Sequence, residues 1–371
     1  MRKGVIVLIL FFKFINTCFS QTLTENSFGV RIENGLIYID SVFVNGVFSK
    51  NFVVDTGCEL TVLDSDFADR LQLAKAKEKI SVIDINGNSS IQRKIVINSL
   101  QTGNMPLSSI KGLVIDLSSV NQNIDGIIGA NCFRDNIWLF DLPENKIHRI
   151  LNVNANDYKY KIPFKLKNNV PYINLKIADV VLKNVIIDTG NANRISFDEK
   201  DTILLTGKSD SDFYYQSSAQ SLFDSKKHVL KIKESFFNSV YLNNMRVDSC
   251  HAIFYGKTRA IGIPFFKESA FVMDFVNKIL YTDGFHQKTE SYFGCRFAIN
   301  EHGKIIVSSI RENSLAQKKG VLLGDEIVKF NNIELNQLRK IVENGNIYAQ
   351  LGDRIIVERK NMSEISIISE Y

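Results

Sequence analysis

Two stretches of this 371-residue chain repeat at one fixed spacing, and the repeat constrains the fold more than any other feature. "NFVVDTGCELTVLD" (51–64) and "NVIIDTGNANRISFD" (184–198) each run an apolar strand into Asp-Thr-Gly, which places Asp55 and Asp188 133 residues apart. Further on, "IIGANCFRDNIWLFD" (127–141) parallels "AIGIPFFKESAFVMD" (260–274), and Gly129 with Gly262, Phe133 with Phe266 and Asp141 with Asp274 keep the same offset of 133. Anchors held at one offset describe two copies of one unit, roughly residues 35–150 and 161–284. The polar link "LNVNANDYKY" (151–160) is expected to cross between them as a strand or loop.

Within each copy, Val, Ile and Phe come in short alternating runs punctuated by Asn, Gly, Asp and Ser, which predicts a mainly β fold with few long helices. "SVIDINGNSSI" (81–91) reads as a hairpin turning at Asn86-Gly87. Only five prolines and no low-complexity run leave little room for long disordered linkers.

The first twenty residues read as a secretory signal peptide: the basic Met1-Arg2-Lys3, the apolar "VIVLILFF" (5–12), and small residues at Cys18 and Ser20 before a cut. The apolar run is too short to span a bilayer, and no other stretch could do so. The alternative of lipidation at Cys18 has Thr17 as a poor neighbour. The expected location is periplasmic or extracellular. Losing that segment takes away Arg2, Lys3 and Lys13, so the formal net charge falls from +5 to +2, with the remaining basic residues scattered. Nothing in that pattern supports a nucleic-acid partner. Cys58, Cys132, Cys250 and Cys295 remain, too far apart to look like a disulfide framework, and sequence does not choose among pairings.

A carboxylate at the tip of an apolar strand is costly unless something pairs with it or uses it. Two carboxyls brought within hydrogen-bond distance cannot both ionise, so they share one proton and hold a general base and a general acid over one water. A pseudo-two-fold repeat can deliver that geometry by placing equivalent strand tips face to face. Asp55 and Asp188 are therefore the candidate catalytic pair. Gly57 and Gly190 are positions of close backbone approach, and the hydroxyls of Thr56 and Thr189 can tie the two turns together. Other chemistries lack their parts. There is no Gly-x-Ser-x-Gly elbow and no phosphate-cradling loop, and His148, His228, His251, His286 and His302 show no metal spacing. A Cys58 nucleophile has no nearby histidine. No cofactor or metal is expected.

"DTGCELTVLD", with a Thr four residues past its glycine, resembles the active-site stretch of the aspartic peptidases, retropepsins in particular, and "GIIGANCF" and "AIGIPFF" resemble that family's second motif. The resemblance covers about residues 35–284, with both lobes in one chain as in pepsins and a lobe length closer to retropepsins. It implies two pseudo-symmetric acid-protease-type β lobes, 21–150 and 151–284, with the active site between them. Asp55 and Asp188 would be the dyad, Thr56 and Thr189 the cross-lobe hydrogen-bonding pair, and Asn86 and Gly87 the tip of a flap. The chain departs from the pattern at Arg194, which stands where the first copy has Thr61, at Glu59, at Asn191 in place of a small residue, and in having no flap-tip Tyr.

The segment 292–371 resembles a PDZ domain, a small α+β unit. "ENSLAQKKG" reads as a short capped helix ending at Gly320, "GVLLGDEIVKFNN" as the family's Gly-Asp turn and strand, and "LGDRIIVERK" as its final strand. The resemblance implies a peptide groove entered at "YFGCRF" (292–297), involving Gly294 and Phe297, for a C-terminal or internal peptide. Arg296 stands where the family often has Gly. The expected function is an exported aspartic endopeptidase acting on peptide or protein substrates, competent as a monomer and indifferent to its C-terminal segment when the substrate is a short peptide. The alternative is a catalytically inactive protein that binds peptides in the same cleft and groove.

Overall fold

The computed structural model describes residues 26–368 except 34, 74–77, 85–86, 104, 108–109, 119–122, 222–223, 287–293, 301, 332, 344–353 and 359–364. The expected leader with Cys18, the turn residue Asn86 and the start of the expected peptide groove lie outside the described residues. The chain is mainly β, as read from the sequence: among the described residues, two thirteen-stranded sheets and one of four strands carry almost all of the order.

Both Asp-Thr-Gly stretches leave central strands. Phe52, Val53 and Val54 are all buried in the strand Phe52–Asp55, which is flanked by Leu36–Ile39 and by the parallel strand Gly126–Gly129. A strand covered on both faces reads as an unbroken apolar run, which is why alternation stops there. In the second copy Val180–Ile187 pairs in parallel with Ala260–Ile261. Gly129 opposes Asp55 and Ile261 opposes Ile187, each 74 residues further along the chain. In both copies the returning strand is also antiparallel to the one that follows the Asp-Thr-Gly turn, Thr61–Asp64 in the first and Ile195–Phe197 in the second. The two copies therefore share a topology as well as motifs.

A six-stranded base joins them. Ile137–Asp141 pairs antiparallel with its repeat mate Ala270–Asp274, centred on Leu139 opposite Val272. Equivalent strands pair about equivalent residues when a local two-fold axis passes between them. Lys146–Ile150 and Ile279–Thr282 flank this pair, and Ser27–Glu33 and Tyr160–Pro163 lie outermost, with Ser27 and Tyr160 again 133 residues apart. The linker 151–160 thus crosses as a loop with one turn of 3-10 helix at Ala155–Asp157 and enters the outermost strand only at Tyr160. Over this base sits an aromatic core, in which Phe140 and Phe271 stack with centroids 5.0 Å apart and Phe133 meets Trp138 edge-on at 5.1 Å. The indole N–H of Trp138 is satisfied by the Phe133 carbonyl at 2.9 Å.

The C-terminal unit has its own buried cluster, including Val307, Ala316, Ile327, Leu338 and Ile355. Ser314 caps the helix Leu315–Lys318 by accepting from the Gln317 N–H, and Gly320 follows with φ +79°. The strand expected to be last, Arg354–Glu358, is followed by one more, Ile365–Ile368, which pairs with it; its short Ser-Ile alternation gave too weak a signal to find. The unit's sheet also continues into the second lobe. Ile305–Arg311 pairs on one edge with Cys295–Ile299 and on the other with Ser211–Ser221. No described helix is long and apolar enough to cross a membrane.

Candidate active site

Asp55 ends its strand and Asp188 directly follows its own, so both carboxylates project where the lobes meet. The turns are bound across that junction by a reciprocal lattice. The Thr56 hydroxyl donates to the Ile187 carbonyl at 2.6 Å and accepts from the Thr189 N–H at 3.1 Å. The Thr189 hydroxyl donates to the Val54 carbonyl at 2.9 Å and accepts from the Thr56 N–H at 3.0 Å. Both threonines are fully buried, so each hydroxyl spends its donor and an acceptor on the opposite lobe. This locks the strand tips in mutual register.

The glycines explain how close the carboxylates come. A Cβ on Gly57 would lie within 2.8 Å of both carboxylate oxygens of Asp188, and one on Gly190 within 2.8 Å of both oxygens of Asp55. Each carboxylate therefore rests on the other lobe's glycine. Within each turn the backbone also solvates its own aspartate. Asp55 Oδ1 accepts from the N–H groups of Gly57 at 2.8 Å and Cys58 at 2.9 Å, and Asp188 Oδ1 accepts from Gly190 at 2.9 Å.

Asp55 and Asp188 share a hydrogen bond, and their environments push them apart. Burial raises both. For Asp188, the charge of Asp55 and the hydrogen bond to it raise the carboxyl further, well above the ordinary value of 3.8. For Asp55, the hydrogen bonds from Asp188, Gly57 and Cys58 oppose the effect of burial, and its rise is smaller in kind. Between them the two carboxyls can hold one proton beside one charge, a property of the pair. The Cys58 thiol next to them donates to the Leu60 carbonyl at 3.1 Å, and burial together with the Asp55 charge pushes its ionisation far up. It is held as a thiol, not a nucleophile. All four described cysteines are free thiols.

The departures in sequence have structural roles. The Asn191 side chain donates to Ser196 Oγ at 3.0 Å and accepts from the Asn193 N–H at 3.0 Å, stapling its own loop. Arg194 is buried, and its carbonyl accepts from the Gly262 N–H at 3.0 Å. Glu59 accepts from Asn168 Nδ2 of the second lobe at 3.1 Å. The repeat mates of that pair, Ala192 and Gly35, also approach across the junction. A second set of cross-lobe contacts thus obeys the same two-fold, and sequence reading missed it.

The expected flap is a hairpin, Lys79–Ile83 with Ser89–Ile97, in which Ile83 opposes Ser89. Gly87 closes it with φ +82°, donating to the Asp84 carbonyl at 2.9 Å. Its tip crosses to the second lobe: a Cβ on Gly87 would lie 2.7 Å from Lys257 Nζ. Ile80 and Val82 of the hairpin, like Leu36, Cys58, Leu60 and Ile127, are partly buried against one apolar cluster that includes Tyr38, Val53 and Val62, and together they make an apolar wall. At the far end of the chain, Gly294 has φ +74° and its carbonyl accepts from the Arg311 N–H at 2.7 Å. Phe297 opposes Val307 and packs against the C-terminal unit's own core. The structure does not bring Gly294 and Phe297 to the aspartate pair.

No curated protein matches the chain. Residues 41–132, which hold Asp55, Thr56, Gly57 and Gly129, match the family model described as aspartyl protease, and that likeness supports a protease-type function.

Proposed function

We propose that the chain is an exported aspartic endopeptidase whose dyad is Asp55 and Asp188. The observation that carries this reading is the reciprocal Thr56–Thr189 lattice, which holds the two carboxyls against each other from opposite lobes. Ionised Asp55 takes a proton from a water held between the carboxyls, and the oxygen so activated attacks the peptide carbonyl carbon. Protonated Asp188 gives its proton to the carbonyl oxygen, forming a gem-diol. As the C–N bond breaks, Asp55 returns its proton to the leaving nitrogen and Asp188 recovers one from a diol hydroxyl, so the dyad ends as it began. The apolar wall of Leu36, Leu60, Ile80, Val82 and Ile127 favours substrates with an apolar side chain on the first-lobe side of the scissile bond. The C-terminal unit is read as a PDZ-like module for a substrate or partner peptide, with Gly294 and Phe297 at its groove. Export rests on the pattern of residues 1–20.

The test is cleavage of a peptide library by the protein and by Asp55→Asn and Asp188→Asn. The wild type should cleave, and each variant should lose at least about 10³-fold in kcat while keeping its fold, since an Asp/Asn pair cannot do both proton jobs. Near-full activity in either variant sinks the dyad. A wild type that binds peptides but cleaves none at any pH would identify a binding protein.

A further inference from the structure

The second lobe has its own counterpart of the flap hairpin, and the C-terminal unit holds it. In the first lobe the hairpin follows the short helix Ser65–Arg70 and leads into Ile110–Ile115, which runs parallel to Thr61–Asp64. In the second, the helix Asp201–Leu204 is followed by the hairpin Ser211–Ser221 with Asp224–Leu242, leading into Met245–Phe254, which runs parallel to Ile195–Phe197. The plan is the same, but the edges differ. Lys79–Ile83 is the last strand of its sheet, whereas Ser211–Ser221 continues into the C-terminal unit through Tyr215 opposite Arg311, Gln216 opposite Ile310 and Ser217 opposite Ser309.

Side chains lock this seam. Glu234, 3% exposed in the second strand of the hairpin, meets Arg296 of the C-terminal unit at 2.6 Å. The same carboxylate oxygen lies 3.7 Å from His251 Nδ1, and the Arg296 guanidinium covers the Tyr215 ring at 4.7 Å. Glu312 pairs with Lys231 at 2.8 Å. A buried carboxylate requires compensating partners, and the permanently charged one here, Arg296, comes from outside the lobe, whereas His251 belongs to it. Glu234 opposes Ile253, and the chain then runs from Phe254 to Lys257, the residue that the flap tip meets at Gly87. One ladder therefore links Arg296 to the seat of the flap.

We propose that Arg296 and Glu234 form a latch through which the C-terminal unit positions both the second-lobe hairpin and the Lys257 seat of the flap. Arg296 is a positioning residue, acting on substrate capture through Glu234, and the C-terminal unit is part of the peptidase even for a short peptide. The kinetic part rests on the peptidase reading above; the positional part does not.

The experiment compares full-length protein with Arg296→Ala, Arg296→Lys, Glu234→Gln and the Arg296→Ala/Glu234→Gln double variant, by amide hydrogen exchange and by steady-state cleavage of a short peptide. Arg296→Ala should exchange about tenfold faster over residues 211–217 and 253–257, and should raise KM about tenfold with kcat within about twofold, because a buried charge has lost its partner while the Thr lattice is untouched. The double variant should recover part of both effects, since no lone buried charge remains. Arg296→Lys should also recover part of both, and it carries the comparison if Arg296→Ala does not fold. Unchanged exchange over both segments in folded Arg296→Ala overturns the latch, as does a fall in kcat with KM unmoved. If the wild type cleaves nothing, the peptidase reading fails, while the exchange data still decide the latch.

Discussion

The carboxylate of Asp55 lies where a side chain on Gly190 would begin, and that of Asp188 stands in the same relation to Gly57. Gly57→Ala or Gly190→Ala must therefore drive the two lobes or the two carboxyls apart. Each should cost about 1–3 kcal/mol of stability through overpacking. Each should also lower kcat/KM by at least about a hundredfold, as displacement of reacting groups by an ångström does. Urea midpoints and peptide cleavage check this, and an alanine variant with both unchanged would contradict the close approach.

The threonine lattice makes a prediction about coupling. Thr56→Val strands the Thr189 N–H and the Ile187 carbonyl, and Thr189→Val strands their mates. Each should destabilise by about 1–3 kcal/mol, the range for buried polar groups left without partners. Because the bonds form one network, the double variant should fall short of the sum by about 0.5–3 kcal/mol in a double-mutant cycle. Serine at either position keeps the hydroxyl and should retain most of the stability. Strict additivity would mean that the two turns are held independently.

The raised ionisation of Asp188 fixes the sign of a pH effect. Folding raises the pKa from the ordinary 3.8, so the folded state binds more protons above that value. This contribution to stability is fully present below 3.8 and is lost as pH rises through the folded-state pKa. Asp188→Asn removes the ionisation, so it should raise the thermal midpoint near neutral pH and flatten its decline between acid and neutral pH. In the wild type the same ionisation gives the falling alkaline limb of a bell-shaped kcat profile with an acidic optimum. A midpoint in Asp188→Asn that tracks the wild type at every pH would remove the basis for assigning the proton to Asp188.

Both aspartates lie in one chain, so the proposed dyad predicts that a monomer is competent. Activity per molecule should stay constant on dilution, read alongside sedimentation. A loss that follows dissociation of a dimer would show that a second copy completes the site.

The aspartate pair was legible in the sequence because it sits on a repeat whose offset the backbone preserves from Ser27 and Tyr160 through to Asp141 and Asp274. The hairpin at Gly87 was legible through its turn chemistry, although its Asn86 lies outside the described residues. The pairing of Tyr215 with Arg311 was not legible. Strand partners distant in sequence leave no local periodicity, and nothing in Arg296 marks it as the partner of a carboxylate 62 residues earlier. The role of Asn191 was hidden for a related reason: a residue type shows what it can bond, while the loop around it decides whether that reach serves a ligand or its own backbone.

The ladder centred on Leu139 and Val272 has a consequence for how the chain reaches its native state. It joins segments 133 residues apart, and the strand Ser27–Glu33 finds its base partner only at Lys146–Ile150. Such pairings are slow, because loop closure precedes any gain from contact. During synthesis the first repeat emerges with the edge of Ile137–Asp141 open, and with Phe140 awaiting the ring of Phe271. The second repeat is the natural cap for that edge, so the earlier half of the chain serves as a template on which the later half condenses, and a nascent chain halted near residue 150 would present a sticky strand to any neighbour.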